Sequence, residues 1–211
     1  MKYKAVIFDF DATLARTNRL IFDSFQYITE KYAGKIYSDA DVIKLFGPTE
    51  EQILREWFGE RSEAVIEDYF DYYLKNHHIA ELYEGIHNLL KELSSGNFRL
   101  AIFTGKGRRA TILSADFFGI RDYFEIIVSG DDVKKHKPSG EGISKIIDHF
   151  RVSPRDVLMV GDSPVDIKSA TEAGVDVASV LWDSYSKEEL IKMNSNYYFS
   201  TVKELRDFLL N

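Results

Sequence analysis

The fold of this chain is decided near its beginning, by the stretch Val6–Leu14, which reads VIFDFDATL. An apolar run typical of a buried strand leads directly into Asp9, and Asp11 follows two positions later. In open α/β sheets, ligands bind beyond the carboxyl ends of the strands. Two carboxylates held close together repel unless a cation joins them or one stays protonated. The stretch therefore indicates either a ligand site or an ordinary aspartate-containing turn.

Apolar runs of similar length recur along the chain and are typical of buried strands. Helical patterns separate them, and strands that alternate with helices predict an α/β fold with a Rossmann-like parallel sheet core. The runs do not alternate strictly between apolar and polar residues, which favours a sheet covered by helices on both faces. Five predicted strands and a weaker sixth candidate are Tyr3–Phe8, Arg99–Phe103, Phe124–Ser129, Val157–Val160, Val175–Leu181 and Asn196–Phe199.

The connection between the first two predicted strands is roughly 90 residues long, far more than a crossover helix needs. We predict that residues 16–80 form a small helical cap domain, and that residues 1–15 and 81–211 form the α/β core. Thr49 and Gln52 have the spacing of a helix-starting capping box. Two apolar stripes at helical spacing are Ile21, Phe25, Ile28 and Tyr32, and Ile66, Tyr69, Phe70 and Tyr73.

Composition excludes several classes of protein. The 211 residues include 27 basic and 34 acidic side chains, a net charge of −7, and no cysteine. Disulfide frameworks, thiolate zinc sites and cysteine nucleophiles are therefore excluded. The acidic balance disfavours nucleic-acid binding, and no apolar run approaches the ~20 residues that cross a bilayer. We expect a cytoplasmic protein, monomeric or homodimeric, that binds neither nucleic acid nor membranes.

A second acidic pair follows the predicted strand Val157–Val160. Asp162 closes that strand, and Asp166 falls in the first turn of a helix that Pro164 helps to start. An aspartate near a helix N-terminus is favourable to the helix dipole, which is the ordinary interpretation. Two acidic pairs at one sheet edge would instead form a site for a hard divalent cation, most plausibly Mg²⁺.

The two remaining strand ends carry groups that suit an anion. The second strand ends in Thr104-Gly105, where a hydroxyl and backbone N–H groups can face a phosphate, although such a pair is most often a turn. Lys137-Pro138 follows the third strand; its lysine is either solvated surface or a phosphate ligand. All four predicted strand ends carry groups that could bind a metal ion or a phosphate. Such an arrangement is improbable by coincidence, so these groups predict one shared site.

These segments resemble the four motifs of the haloacid dehalogenase-like hydrolase superfamily, in the same order and over nearly the whole chain. The resemblance implies a Mg²⁺-dependent phosphatase that hydrolyses a small phosphorylated metabolite through an aspartyl-phosphate intermediate. The motifs are Asp9–Thr13, Thr104, Lys137-Pro138 and Gly161–Asp166, and the segments Leu82–Gly85 and Phe46–Pro48 resemble the phosphoglycolate phosphatase and β-phosphoglucomutase branch.

The resemblance also implies catalytic roles. Asp9 is expected to be the nucleophile, and Asp11 the general acid for the leaving oxygen and later the base that activates water. Thr104, Gly105 and Lys137 are expected to hold the transferring phosphoryl group and offset its charge.

The expected metal ligands are Asp9, Asp162 and the backbone carbonyl of Asp11. Asp166 is expected either to ligate Mg²⁺ or to orient Lys137 and bound water. All four aspartates are therefore assigned to the metal site.

The chain departs from the family pattern at three places. Ala12 stands where the family usually has glycine, and alanine is strained if the turn needs a positive φ. Ser139–Glu141 stands where relatives commonly have a second proline and an acid, which affects the helix start more than the chemistry. The segment Leu14–Thr17 replaces a more usual acid–serine pair, so we expect Arg16, or else Arg19, to face the substrate phosphate, with a solvent-facing arginine as the ordinary alternative.

Alternative functions remain open at this point. Asp11 favours phosphate-ester chemistry over dehalogenation, because a halide leaving group needs no proton. A β-phosphoglucomutase-like sugar phosphomutase would share all these residues but exclude water by cap closure. A non-catalytic phosphoacceptor or binding protein is the alternative from another class. The physiological substrate is not determined by any of these motifs.

Overall fold

A computed structural model describes residues 2–45 and 47–211 of the chain. The strands, in chain order, are β1 (Ala5–Phe8), β2 (Ala15–Arg16), β3 (Glu81–Leu82), β4 (Arg99–Phe103), β5 (Ile126–Val128), β6 (Val157–Gly161), β7 (Asp176–Val180) and β8 (Tyr197–Phe199). The α-helices are α1 (Asn18–Ala33), α2 (Asp39–Ile43), α3 (Glu50–Phe58), α4 (Ser62–Lys75), α5 (Ile86–Ser95), α6 (Arg108–Phe117), α7 (Glu141–Phe150), α8 (Pro164–Ala173), α9 (Lys187–Lys192) and α10 (Val202–Leu210).

Six strands form one parallel sheet in the order β5-β4-β1-β6-β7-β8. Every apolar run predicted as a strand is therefore a strand of this sheet, including the weaker candidate that became β8. The α/β prediction is confirmed. Strand β1 lies between β4 and β6, and Phe8 is in register with both Ile102 and Val160. The carboxyl ends of these three strands consequently meet at one edge.

Helices cover both faces of the sheet, as predicted. Because side chains alternate along a strand, Val6 and Phe8 pack on one face, in a cluster with Leu89 of α5. Ile7 packs on the other face, in a cluster with Ile146 of α7. This double burial explains why the strands read as continuous apolar runs.

The helices α1–α4 occupy the long connection, and we call them the cap helices. They share a hydrophobic cluster in which both predicted stripes take part, with seven of the eight side chains buried and Tyr32 partly buried at its margin. The predicted capping box is confirmed, because the Thr49 N–H donates to Gln52 Oε1 at 3.2 Å where α3 begins.

The short antiparallel pair β2–β3 joins the two ends of the cap connection. The domain limits at residues 16 and 80 stay a prediction. Of the segment Phe46–Pro48, Phe46 lies outside the described residues. Within the described ranges, no helix is long and apolar enough to cross a bilayer.

Candidate active site

Three of the predicted site aspartates converge at the carboxyl edge of the sheet. Asp9, Asp162 and Asp166 each present a carboxylate oxygen, and these oxygens all lie within 4.8 Å of one another. Asp9 directly follows β1, and its N–H donates to the carbonyl of Val160 at 2.8 Å, which ties it to β6. Asp162 directly follows β6, and Asp166 lies in the first turn of α8. We call these three residues the acidic triad.

Lys137 lies against the acidic triad and is almost fully buried. Its Nζ is 2.6 Å from Asp166 Oδ1 and 3.1 Å from Asp9 Oδ1. The other oxygen of Asp166, Oδ2, accepts from the N–H and the hydroxyl of Ser163, at 3.0 and 2.7 Å. Both oxygens of Asp166 therefore have protein donors, a pattern that favours its predicted role in orienting Lys137.

Burial of the acidic triad changes its protonation. Burial raises the pKa of Asp9 to about 7; the charge of Lys137 opposes this, while those of Asp166 and Asp11 add to it. Burial also raises the pKa of Asp162 well above its ordinary value, and Asp9 and Asp166 add to the effect. When all three carboxylates are ionised, the Lys137 ammonium offsets only one of their charges, and an all-oxygen donor set suits a hard cation such as Mg²⁺.

The Asp11 carboxylate is not part of the acidic triad and contacts other residues. The two oxygens of Asp11 lie 3.3 and 3.4 Å from Lys106 Nζ, and Oδ1 also accepts a short hydrogen bond from the hydroxyl of Thr17. Thr17 immediately precedes α1. The side chain of Asp11 is thus held where the core and the cap meet, while its carbonyl stays the predicted metal ligand.

Lys106 and Glu50 were missed by the sequence interpretation. The Lys106 side chain is fully buried, with its Nζ 3.6 Å from Glu50 Oε1, and Glu50 Oε2 accepts from the N–H of Gly107 at 2.7 Å. Burial by itself lowers the pKa of Lys106, but the nearby Asp11, Tyr73 and Glu50 outweigh it and raise the pKa above its ordinary value. Burial raises the pKa of Glu50, and Lys106 opposes that shift.

Signals for this pair were present in the sequence. Lys106 stands between two glycines at the end of a buried strand, an unusual place for a solvated lysine. The capping box that starts α3 places Glu50 at its first position, where an acid ordinarily serves the helix dipole.

Thr104 and Gly105 lie at the end of β4, beside β1. Thr104 is buried; its N–H donates to the Val128 carbonyl at 3.1 Å, and its Oγ1 accepts from the N–H of Lys106 at 3.3 Å. An added Cβ on Gly105 would meet no atom within 4 Å, so this position borders open space. Their contact with a phosphate stays a prediction.

Ala12 occupies the left-handed region, with a φ of 58°. Its N–H donates to the carbonyl of Ala15 at 2.9 Å, which closes the turn after the two aspartates. The turn therefore has the positive φ at which alanine is strained. Alanine in this region carries a strain of about 1–2 kcal/mol that glycine would avoid.

Arg16 is engaged away from the acidic triad. It forms ion pairs with Glu81 at 2.5 Å and Asp183 at 3.2 Å, and its guanidinium lies 5.3 Å from the centre of the Tyr83 ring. About half of its side chain is exposed. The structure brings Arg16 together with these three residues, and its contact with substrate stays a prediction.

Known proteins resemble this chain over nearly its whole length. The profile described as haloacid dehalogenase-like hydrolase matches residues 6–180. A protein provisionally named pyrophosphatase PpaX, from Caldanaerobacter subterraneus subsp. tengcongensis, is 32% identical over 206 residues, covering 97% of this chain and 94% of that protein. Pyrophosphatase PpaX from Halalkalibacterium halodurans is 30% identical, covering 99% and 98%. The crystal structure of a protein from Lactobacillus plantarum, provisionally named phosphoglycolate phosphatase, matches with a TM-score of 0.79 and 25% sequence identity. The match covers 98% of this chain and 99% of that chain.

Proposed function

This chain belongs to the haloacid dehalogenase-like hydrolase family as a phosphatase, and we propose that it hydrolyses a small phosphate monoester with Mg²⁺ through an aspartyl-phosphate on Asp9. One observation carries the proposal: the buried acidic triad with Lys137 against it. A carboxylate nucleophile and a phosphate are both anionic, so their approach needs positive charge on each side. The triad supplies the ligands for that charge on one side, and Lys137 supplies it on the other.

In the first step, an oxygen of Asp9 attacks phosphorus and the bond from phosphorus to the leaving oxygen breaks. Asp11 donates a proton to that oxygen, so that an alcohol leaves rather than an alkoxide. Lys137, 3.1 Å from Asp9, offsets charge on the transferring group. Held by Asp9, Asp162 and the carbonyl of Asp11, Mg²⁺ would neutralise charge between nucleophile and phosphate.

In the second step, water attacks the phosphorus of the aspartyl-phosphate. Asp11 now accepts a proton from that water, and the bond between phosphorus and the Asp9 oxygen breaks. Inorganic phosphate leaves, and both carboxyl groups return to their starting state. Thr104 and Gly105, at the neighbouring strand end, bind phosphoryl oxygens in both steps.

The substrate class follows from the relatives as a proposal. Two relatives at 30–32% identity carry the name pyrophosphatase, so pyrophosphate is the first candidate beside the monoesters; it is an anhydride, and the oxygen that Asp11 would protonate then belongs to a leaving phosphate. The similarity to a phosphoglycolate phosphatase structure makes short phosphorylated acids the next candidates. Product analysis with sugar phosphates separates hydrolysis from the mutase alternative, because only hydrolysis releases inorganic phosphate.

The proposal is tested by hydrolysis of p-nitrophenyl phosphate with and without Mg²⁺. We expect Mg²⁺-dependent release, and we expect Asp9→Asn to lower kcat by about 10⁴-fold or more, as loss of a covalent nucleophile does. Asp156→Asn is a matched control, because Asp156 precedes β6 at the opposite edge of the sheet and pairs with Lys4. Turnover without Mg²⁺, or full turnover by Asp9→Asn, would contradict the proposal.

A further inference from the structure

Three charged side chains, of which two are buried and Asp11 is partly exposed, join the core to the cap helices beside the acidic triad. Lys106 Nζ lies 3.3 Å from Asp11 Oδ1 on the core side and 3.6 Å from Glu50 Oε1 on the side of α3. None of the Lys106 side chain is exposed, and Glu50 is 7% exposed. We call Asp11, Lys106 and Glu50 the cap bridge.

Lys106 contacts the cap through two helices. Besides Glu50 of α3, its Nζ lies 5.2 Å from the centre of the Tyr73 ring on α4, within cation–π range. The Tyr73 hydroxyl in turn shares a hydrogen bond of 2.8 Å with Ser114 of α6. Both cap groups reach Lys106 only while α3 and α4 lie on the core, so movement of the cap would change the surroundings of its ammonium.

Lys106 also belongs to the loop predicted to hold phosphate. Its N–H donates to Thr104 Oγ1 at 3.3 Å, and the next residue, Gly107, donates its N–H to Glu50 Oε2 at 2.7 Å. One residue therefore connects the phosphate loop, the acid–base aspartate and the cap. A buried ion pair seldom adds much to the stability of a protein. The ion pairs of Lys106 lie beside the proposed catalytic residues, so a role in the reaction is favoured over a purely structural one.

We propose that Lys106 and Glu50 are positioning residues, which hold the Asp11 carboxylate in the geometry for proton transfer only when the cap helices contact the core. The inference rests on the proposed function, because it assigns proton transfer to Asp11. Glu50, on the cap side, fixes the position of the Lys106 ammonium, and this ammonium in turn fixes the Asp11 carboxylate on the core side. Contact between the cap and the core is thereby coupled, through Lys106, to proton transfer by Asp11.

The test uses two aryl esters of similar shape in the full-length enzyme with Mg²⁺. Phenyl phosphate needs protonation of its leaving oxygen, whereas 2,4-dinitrophenyl phosphate does not. Because kcat/KM reports the steps through departure of the leaving group, a mispositioned acid should affect the first ester selectively. General-acid catalysis contributes about 10²–10⁴-fold, so we expect Lys106→Met and Glu50→Gln to lower kcat/KM about 10- to 100-fold for phenyl phosphate and under about threefold for the dinitrophenyl ester.

Arg109→Gln is the matched control. It removes another ion pair between core and cap, Arg109 with Glu67 at 2.5 and 2.8 Å, which does not include Asp11. We expect it to change kcat/KM for both esters by the same factor. In the double variant of Glu50 and Lys106, the loss of kcat/KM for phenyl phosphate relative to the dinitrophenyl ester should be no greater than in Lys106→Met alone. Glu50 acts on Asp11 only through Lys106, so its removal should have no further effect once Lys106 is gone.

The outcomes separate this inference from the proposed function. Equal losses on both esters, in an enzyme whose activity depends on Asp9, overturn the inference and leave the proposed function intact. Absence of any Asp9-dependent activity in the unaltered chain overturns both. Glu50→Gln keeps the size of the side chain and an acceptor for the Gly107 N–H, so it carries the test if Lys106→Met does not fold.

Discussion

The acidic triad and the cap bridge are two buried charge clusters that each contain one lysine, yet they are balanced differently. The triad gathers three carboxylates from the core strands and α8 around Lys137. The cap bridge places Lys106 between two carboxylates from opposite sides, and the Gly107 N–H satisfies one of the Glu50 oxygens. Buried charge must be paired or neutralised. The triad therefore needs protons or a cation from outside the chain, whereas the charges of the cap bridge are paired with one another.

The largest effect that separates the clusters is expected in the requirement for Mg²⁺. Asp162→Asn removes a triad ligand and should raise the Mg²⁺ concentration for half-maximal activity by about 10- to 100-fold, the loss that even supporting groups of metal sites produce. Glu50→Gln should leave that concentration unchanged, because neither Glu50 nor its partner Lys106 is a proposed metal ligand. Activity against Mg²⁺ concentration measures both. Equal shifts in the two variants would remove the distinction between the clusters.

A smaller effect is expected in how the stability of the metal-free protein depends on pH. Burial raises the pKa of Asp9 from 3.8 to about 7, so between these values the folded state holds a proton that the unfolded chain has lost. The free energy of unfolding of metal-free protein should therefore fall as pH rises through this window, and Asp162, whose pKa is also raised, should add to the fall.

Thermal unfolding in EDTA and in Mg²⁺ checks this sign. Mg²⁺ should raise Tm more at about pH 8 than at about pH 5, where protons compete for the triad; each kcal/mol corresponds to about 2–4 °C in a chain of this size. Asp9→Asn should flatten the EDTA profile. A Mg²⁺ effect that is greater at low pH would contradict the charge excess assigned to the triad.

The smallest effect concerns the turn that follows Asp9 and Asp11 along the chain. Ala12→Gly relieves the left-handed strain at a φ of 58° but adds unfolded-state entropy, so a net gain of up to about 1 kcal/mol in unfolding free energy is expected. Ala15→Gly is the control, because Ala15 is a buried residue of β2 without a positive φ, and it should only destabilise. Urea unfolding measures both, and a loss of stability in Ala12→Gly would show that the turn is not strained.

The same comparison explains what the sequence could predict. The triad was found because Asp9 and Asp162 follow apolar runs, and the carboxyl ends of parallel strands meet at one edge whatever the connections between them. The fold followed from the same runs. Pro164 also indicated where α8 begins, and Asp166 lies in the first turn of that helix.

The cap bridge was not predictable in this way. Glu50 reaches Lys106 only through the packing of α3 on the core, and that packing depends on the shape of many apolar side chains rather than on a periodic pattern. Arg16 illustrates the same limit, since its pairing with Asp183 depends on a loop far away in sequence. Which residues meet at one edge of the sheet can be predicted from the sequence at the strand ends. Which residues meet between the cap helices and the core cannot be predicted in this way.

The central claim is that Asp9 becomes phosphorylated, and chemical trapping tests it most directly. The enzyme is quenched during turnover with Mg²⁺ and substrate, and borohydride reduces any aspartyl-phosphate to homoserine, which peptide mass spectrometry locates. We expect homoserine at position 9, only when substrate is present. Homoserine at Asp11, Asp162 or Asp166 instead, or none at any position although the leaving group is released in a burst before steady state, would contradict this claim.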